Sequence, residues 1–378
     1  MAEYKDQRAV GDDFIQDLNN DEILGEFTQF VKNHQAEFQM CFRGNGENEK
    51  VIIYKNNHAF WTITKNKDKN NRKYKISVSF NHARYCSNWE DLKNKLVDKK
   101  YDFKNKELTK DGISEISTEL KTSFSKEFVQ GTYEIINEIF GKFFEYKNRT
   151  DNCHLEKDYF KSCYNKTEST TNKNFLAEKI MQQKLFTDIF IGGENCFAYD
   201  LEFSQKYPNK EYKKTNNIES NQPDMLGIRD TGNGFILVFI EVKSLKSACQ
   251  GDSGVLKHLN GMLKYIDEDI LGQKVIENRK KDACKIIDAY KKLGLREYLK
   301  NTTKDEFIGT EILFVFTDTN IDAKYNYDAA KNTKDIPATQ WIANTDNQNK
   351  LKAEIAKHPE VTIKCKTYID GKLNDVIP

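Results

Sequence analysis

"QPDMLGIRDTGNGFILVFIEVKSL", residues 222–245, decides the fold. Two apolar stretches flank "RDTGNG", whose two glycines and asparagine are turn chemistry, so the segment predicts a β-hairpin. Its second arm is apolar from Phe235 to Ile240, as expected of a strand bound for a core, yet it ends in Glu241-Val242-Lys243. If Ile228 lies opposite Leu237, then Asp224 lies opposite Glu241. Opposed residues share a face of the sheet, with Cβ atoms about 5 Å apart. Lys243 shares that face too, because side chains alternate with period two. A slip of one residue would undo the arrangement.

Outward from the hairpin, the second half of the chain reads as a helix in "FLAEKIMQQKLFTDIF" (175–190) and a strand in "NCFAYDLEFSQKY" (195–207). The polar loop "PNKEYKKTNNIESNQ" (208–222) leads to the hairpin. Helices follow in "SGVLKHLNGMLKYIDEDIL" (253–271) and "VIENRKKDACKIIDAYKKLGLREYLK" (275–300). Strands follow in "TEILFVFTDT" (310–319) and "VTIKCKTYI" (361–369). The order helix, three strands, helix, strand implies an α/β fold with a mixed central sheet flanked by helices.

The first half differs. "DEILGEFTQFVKNHQ" (21–35) reads as a helix, and "EFQMCF", "KVIIYKNNHAFWTIT" and "KYKISVSF" read as strands joined by turns. "NWEDLKNKLVDK" (88–99) reads as helical. "SKEFVQGTYEIINEIFGKFFEYK" (125–147) carries Val129, Tyr133, Ile136, Phe140 and Phe143 on one helical stripe. Residues 1–150 are therefore expected to form an N-terminal α+β domain and 151–378 the mixed-sheet domain. The polar stretch 148–174 is the expected linker between them, or a surface excursion.

Lys and Arg number 59 and Asp and Glu 58, so nucleic-acid contact would need local basic patches. Two are candidates: Lys65, Lys67, Lys69, Arg72 and Lys73, and Lys206, Lys210, Lys213 and Lys214. Both also read as solvated loops. The N-terminal stretch carries no apolar signal region, and no apolar run approaches the roughly 18 residues of a spanning helix. A cytoplasmic protein with no membrane contact is the expectation. The eight cysteines form no CxxC pair and read as free thiols in a reducing compartment. Cys153, His154 and Cys163 come nearest to a zinc cluster but lack a second ligand pair.

Two carboxylates and an ammonium at one end of a hairpin suit a hard divalent cation. Mg²⁺ takes oxygen ligands and keeps several waters; Asp224 and Glu241 would supply charge and the Val242 carbonyl a third oxygen. Mn²⁺ would substitute. Lys243 would orient or deprotonate a water, or stabilise the phosphorane. Alternatively, the three residues form a solvated strand end with an ion pair.

Pro223-Asp224, followed after an apolar strand by Glu241-Val242-Lys243, resembles the PD-(D/E)xK nuclease superfamily, which includes restriction, repair and phage-defence nucleases. The resemblance covers about residues 172–320. It implies a restriction-endonuclease-like core and a Mg²⁺-dependent phosphodiesterase acting on DNA. Asp224 and Glu241 would hold the metal, and Lys243 would lie near the attacking water. Many members add a glutamate on the helix before the first core strand, a position that Glu178 fits. A homodimer is expected if each core makes one cut. An inactive core that binds or scaffolds nucleic acid is the competing expectation. Asp200 and Glu202, on the first core strand, are expected to face solvent, as an alternative to facing the site. His258, with Met262 and Tyr265 on one helix face, is expected to pack, as an alternative to touching substrate. Gln250 falls where related nucleases place polar residues toward the phosphate. No GxxxxGK[ST] pattern is present, so ATP hydrolysis is not expected.

Overall fold

The computed structural model describes residues 8–20, 24–35, 37–44, 49–55, 58–65, 74–78, 129–134, 181–182, 185–186, 196–201, 207, 210–215, 223–251, 254–295, 307–317, 336–369 and 371–377. Among them the chain is mixed α/β, with seven helices, a four-stranded sheet, a six-stranded sheet and a two-stranded ribbon.

The N-terminal elements are α1 (Asp12–Asn20), α2 (Leu24–Asn33) and the antiparallel meander β1 (Phe38–Arg43), β2 (Lys50–Lys55), β3 (His58–Lys65) and β4 (Tyr74–Val78). Helix α1 was not expected from the sequence. Asp12 and Asp13 in its first turn complement the helix dipole, and Phe14, Ile15 and Leu18 are buried. "KVIIYKNNHAFWTIT" divides into two paired strands, with Lys55 opposite His58. Trp61 is fully buried, in edge contact with Phe27 and Phe30 and stacked near Phe38. Residues 129–134 are helical, and Thr132 Oγ1 accepts the Trp61 Nε1–H at 3.2 Å. The remainder of that expected helix, the helix at 88–99 and the linker at 148–174 lie outside the described residues.

The larger sheet contains β5 (Cys196–Leu201), β6 (Met225–Asp230), β7 (Phe235–Lys243), β10 (Phe307–Thr317), β11 (Thr362–Ile369) and β12 (Lys372–Ile377), in the order β12-β11-β10-β7-β6-β5. Strands β5, β6 and β7 form an antiparallel meander; β7, β10 and β11 run parallel; β12 returns antiparallel along the edge. The β6–β7 register places Ile228 opposite Leu237, as the hairpin reading expects. A parallel pair needs a long crossover. Between β7 and β10 it includes α4 (Val255–Asp267), the ribbon β8 (Asp269–Ile270) and β9 (Gln273–Lys274), and α5 (Val275–Leu293). Helix α5 stops at Gly294, whose φ of 63° is the left-handed cap that glycine adopts without steric cost. The ribbon replaces the expected end of α4 and turns through Leu271 and Gly272, both at positive φ.

Strand β7 is buried on both faces, which accounts for its unbroken apolar run. Phe235, Leu237 and Phe239 join a core with Leu259 and Met262 of α4 and Ile286 and Tyr290 of α5. Val238, Ile240 and Val242 pack on the other side with Leu313, Met181, Leu185 and Phe186. The last three belong to the helix expected at 175–190. Helices α3 (Lys210–Thr215), α6 (Ala338–Ile342) and α7 (Thr345–Ile355), with β12, were not expected.

The two sheets share a core. The Tyr290 hydroxyl donates to the Met40 carbonyl at 2.7 Å, and Lys292 pairs with Asp12. Asp200 is the clearest departure from expectation. It faces no solvent: its carboxylate lies 2.7 Å from Arg43 Nη2 and 3.5 Å from Arg8 Nε. The β-bulge between Ala198 and Asp200 breaks the regular alternation at that point. Burial works against the Arg43 charge, but Asp200 beside it raises its pKa overall. No helix among the described residues is long and apolar enough to cross a membrane. The described cysteines 41, 196, 249, 284 and 365 are free thiols; Cys86, Cys153 and Cys163, with His154, lie outside the described residues.

Candidate active site

The hairpin carries the motif residues to one end of β6 and β7. Paired register runs to Met225 opposite Ile240, and Asp224 lies one residue beyond it, half-buried. Its Oδ2 accepts the Val242 N–H at 2.7 Å, so the carboxylate is fixed against the motif strand itself. Glu241 and Lys243 follow the odd-numbered parity of β7, the face covered by α4 and α5. They are 2% and 3% exposed, far too buried for a solvated strand end. Lys243 Nζ lies 2.7 Å from Glu241 Oε1.

Helix α4 adds a residue that the sequence reading assigned to packing. His258 Nδ1 lies 2.6 Å from the same Glu241 Oε1. Met262 and Tyr265, on the same helix face, are buried and pack as expected. The available signal was a single polar side chain on the face pressed against the motif strand, but spacing cannot show which strand residue that face meets. Burial alone pushes the Glu241 carboxyl up; Lys243 and His258 outweigh it and hold the group below its ordinary range.

Both donors converge on Oε1. Oε2 is buried and has no hydrogen-bond partner among the described residues. A buried carboxylate oxygen left unsatisfied costs about 1–3 kcal/mol or more, and such an atom is a place for a hard cation. Among the described residues no three His, Cys, Asp or Glu side chains converge to hold a metal. Mg²⁺ does not require such a cage, because it commonly binds through one or two carboxylates and keeps its waters. The donor set of Asp224, Glu241 and the Val242 carbonyl therefore suits it.

Other expected residues fall elsewhere or lie outside the described residues. Glu178, Glu202 and Lys206 lie outside the described residues. Gln250 is exposed, just after a 3₁₀ turn at Lys246–Cys249. Lys65 is turned inward on Asp13 at 2.5 Å and Glu49 at 3.0 Å, so it is committed to the protein and not to a basic tip. Lys67, Lys69, Arg72 and Lys73 lie outside the described residues. Lys214 is exposed on α3, a short helix where a loop was expected, and Lys210 and Lys213 belong to the same helix.

Comparison of the chain with protein-family models, with curated proteins and with solved structures finds no match.

Proposed function

We propose that the chain is a Mg²⁺-dependent endonuclease that hydrolyses DNA phosphodiester bonds, with Asp224 and Glu241 as metal ligands. The observation that carries this reading is the buried Glu241 Oε2, unpartnered among the described residues while Lys243 and His258 both engage Oε1. Further support comes from the element order: an antiparallel meander, helices, then a strand parallel to β7, as in a restriction-endonuclease-like core. A bound Mg²⁺ supplies positive charge that offsets the charge developing on the phosphodiester. The Val242 amide restrains Asp224, and Lys243 and His258 restrain Glu241, which supports a preorganised pair of ligands. Lys243 brings an ammonium to within 2.7 Å of Glu241 Oε1, and its positive charge would act on a phosphate oxygen or on the attacking water. Attack of water on phosphorus breaks the P–O3′ bond. The water loses a proton, O3′ gains one, and the products are a 3′-hydroxyl and a 5′-phosphate. A role in restriction or phage defence, with a homodimer cutting both strands, completes the reading.

The test is incubation with plasmid and with single-stranded DNA in Mg²⁺, Mn²⁺ or EDTA, repeated with Asp224→Ala and Lys243→Ala. Cleavage is expected with either metal, absent in EDTA, and reduced at least 100-fold by each substitution, on the order of losing one transition-state contact. Cleavage that survives both substitutions refutes the site. Absence of metal-dependent cleavage favours a nucleic-acid-binding module.

A further inference from the structure

We propose that His258 is a positioning residue for Glu241: it fixes the plane of the carboxylate so that one oxygen stays engaged by Nδ1 and Nζ and the other is presented to the cation. The inference rests on the metal-site reading above and extends it to a residue outside the motif strand. A carboxylate at a strand end rotates about its terminal torsion, which is broad and roughly two-fold. Lys243 alone is a poor brace, since its ammonium sits on a flexible four-carbon stem. His258 is rigid by comparison. Val255, Leu259 and Met262 lock α4 onto the sheet, and the His258 amide donates to the Gly254 carbonyl at 3.0 Å in the first turn of the helix. From that base Nδ1 reaches Oε1 at 2.6 Å. With Nδ1 and Nζ on one oxygen, the other is left as the sole buried acceptor of the group. Groups that orient metal ligands in this way typically set affinity by about 10- to 100-fold.

The test measures Mn²⁺ binding to the full chain without DNA, by electron paramagnetic resonance of free Mn²⁺, so that catalysis plays no part. His258→Leu removes the donor. His258→Asn keeps an N–H near the position of Nδ1, whereas His258→Gln carries it further out. The expected result is at least about 10-fold weaker binding for the Leu and Gln variants, with the Asn variant close to the parent. Unfolding in EDTA checks that each variant folds; if His258→Leu does not, the Asn–Gln contrast still decides. Parent-like binding by the Gln variant, or an Asn variant as weak as the Gln variant, overturns the role of His258. Glu241→Gln separates the two levels. If it loses Mn²⁺ while every His258 variant keeps it, only the positioning role falls. If Glu241→Gln binds like the parent, or the parent binds no Mn²⁺, the metal site itself falls and the inference with it.

Discussion

Replacing Asp200 by alanine tests how the N-terminal elements are fastened to the larger sheet. Asp200 is 1% exposed and Arg43 15%, so their pair at 2.7 Å is largely hidden from water. Removing one partner of a buried ion pair costs about 3–5 kcal/mol, mostly from the charge left behind. Asp200→Ala strips the carboxylate from two guanidiniums at once, because Arg8 Nε lies 3.5 Å from Oδ2. Its cost is therefore expected near the upper end of that range. Arg43→Met leaves Arg8 beside Asp200 and is expected near about 3 kcal/mol. The double substitution should cost less than the two single changes combined, with a coupling of about 1–3 kcal/mol. Urea unfolding, followed through the midpoint at constant slope, measures all three. A cost below about 1 kcal/mol for Asp200→Ala, the value of an exposed pair, refutes the reasoning. So does strict additivity.

Three further outcomes are expected. Burial pushes the Tyr54 hydroxyl from its ordinary 10.0 up to about 12, against the opposing pull of Arg43. Its contribution to stability is intact below pH 10 and is lost as pH rises through about 12, amounting to roughly 2–3 kcal/mol; Tyr54→Phe should flatten that limb of the unfolding profile. Leu271 holds φ 53° at the ribbon tip and is 60% exposed, so Leu271→Gly should stabilise the protein by about 1 kcal/mol in the same urea assay. The Thr317 hydroxyl is buried and has no hydrogen-bond partner among the described residues. Thr317→Val should thus be neutral or raise stability by up to about 2 kcal/mol, and a loss of that size would show that the hydroxyl is bonded.

What the sequence disclosed follows the range over which its patterns act. The β6–β7 register was legible because the turn at Asp230 to Gly234 is local and the alternation of both arms agrees with it. The burial of β7 was legible because an apolar run needs cover on both faces. Helix α1 went unread because its apolar residues are few and lie beside an acidic, polar stretch. His258 and Arg43 were invisible as partners for a different reason. Each meets its carboxylate across a tertiary gap, between residues far apart in the chain, and no spacing rule records such a meeting. Polarity expected Asp200 to face water; a bulge and two arginines decided otherwise.

Strand β12 closes one side of the larger sheet. Its pairing with β11 is irregular between Cys365 and Lys366, and exposed Asp375 on its rim reaches back to buried Lys366 at 3.3 Å. A kinked, charged rim makes a poor template for another chain. Growth of the sheet by addition of a foreign strand is discouraged there, so association through strand pairing would have to use a different edge.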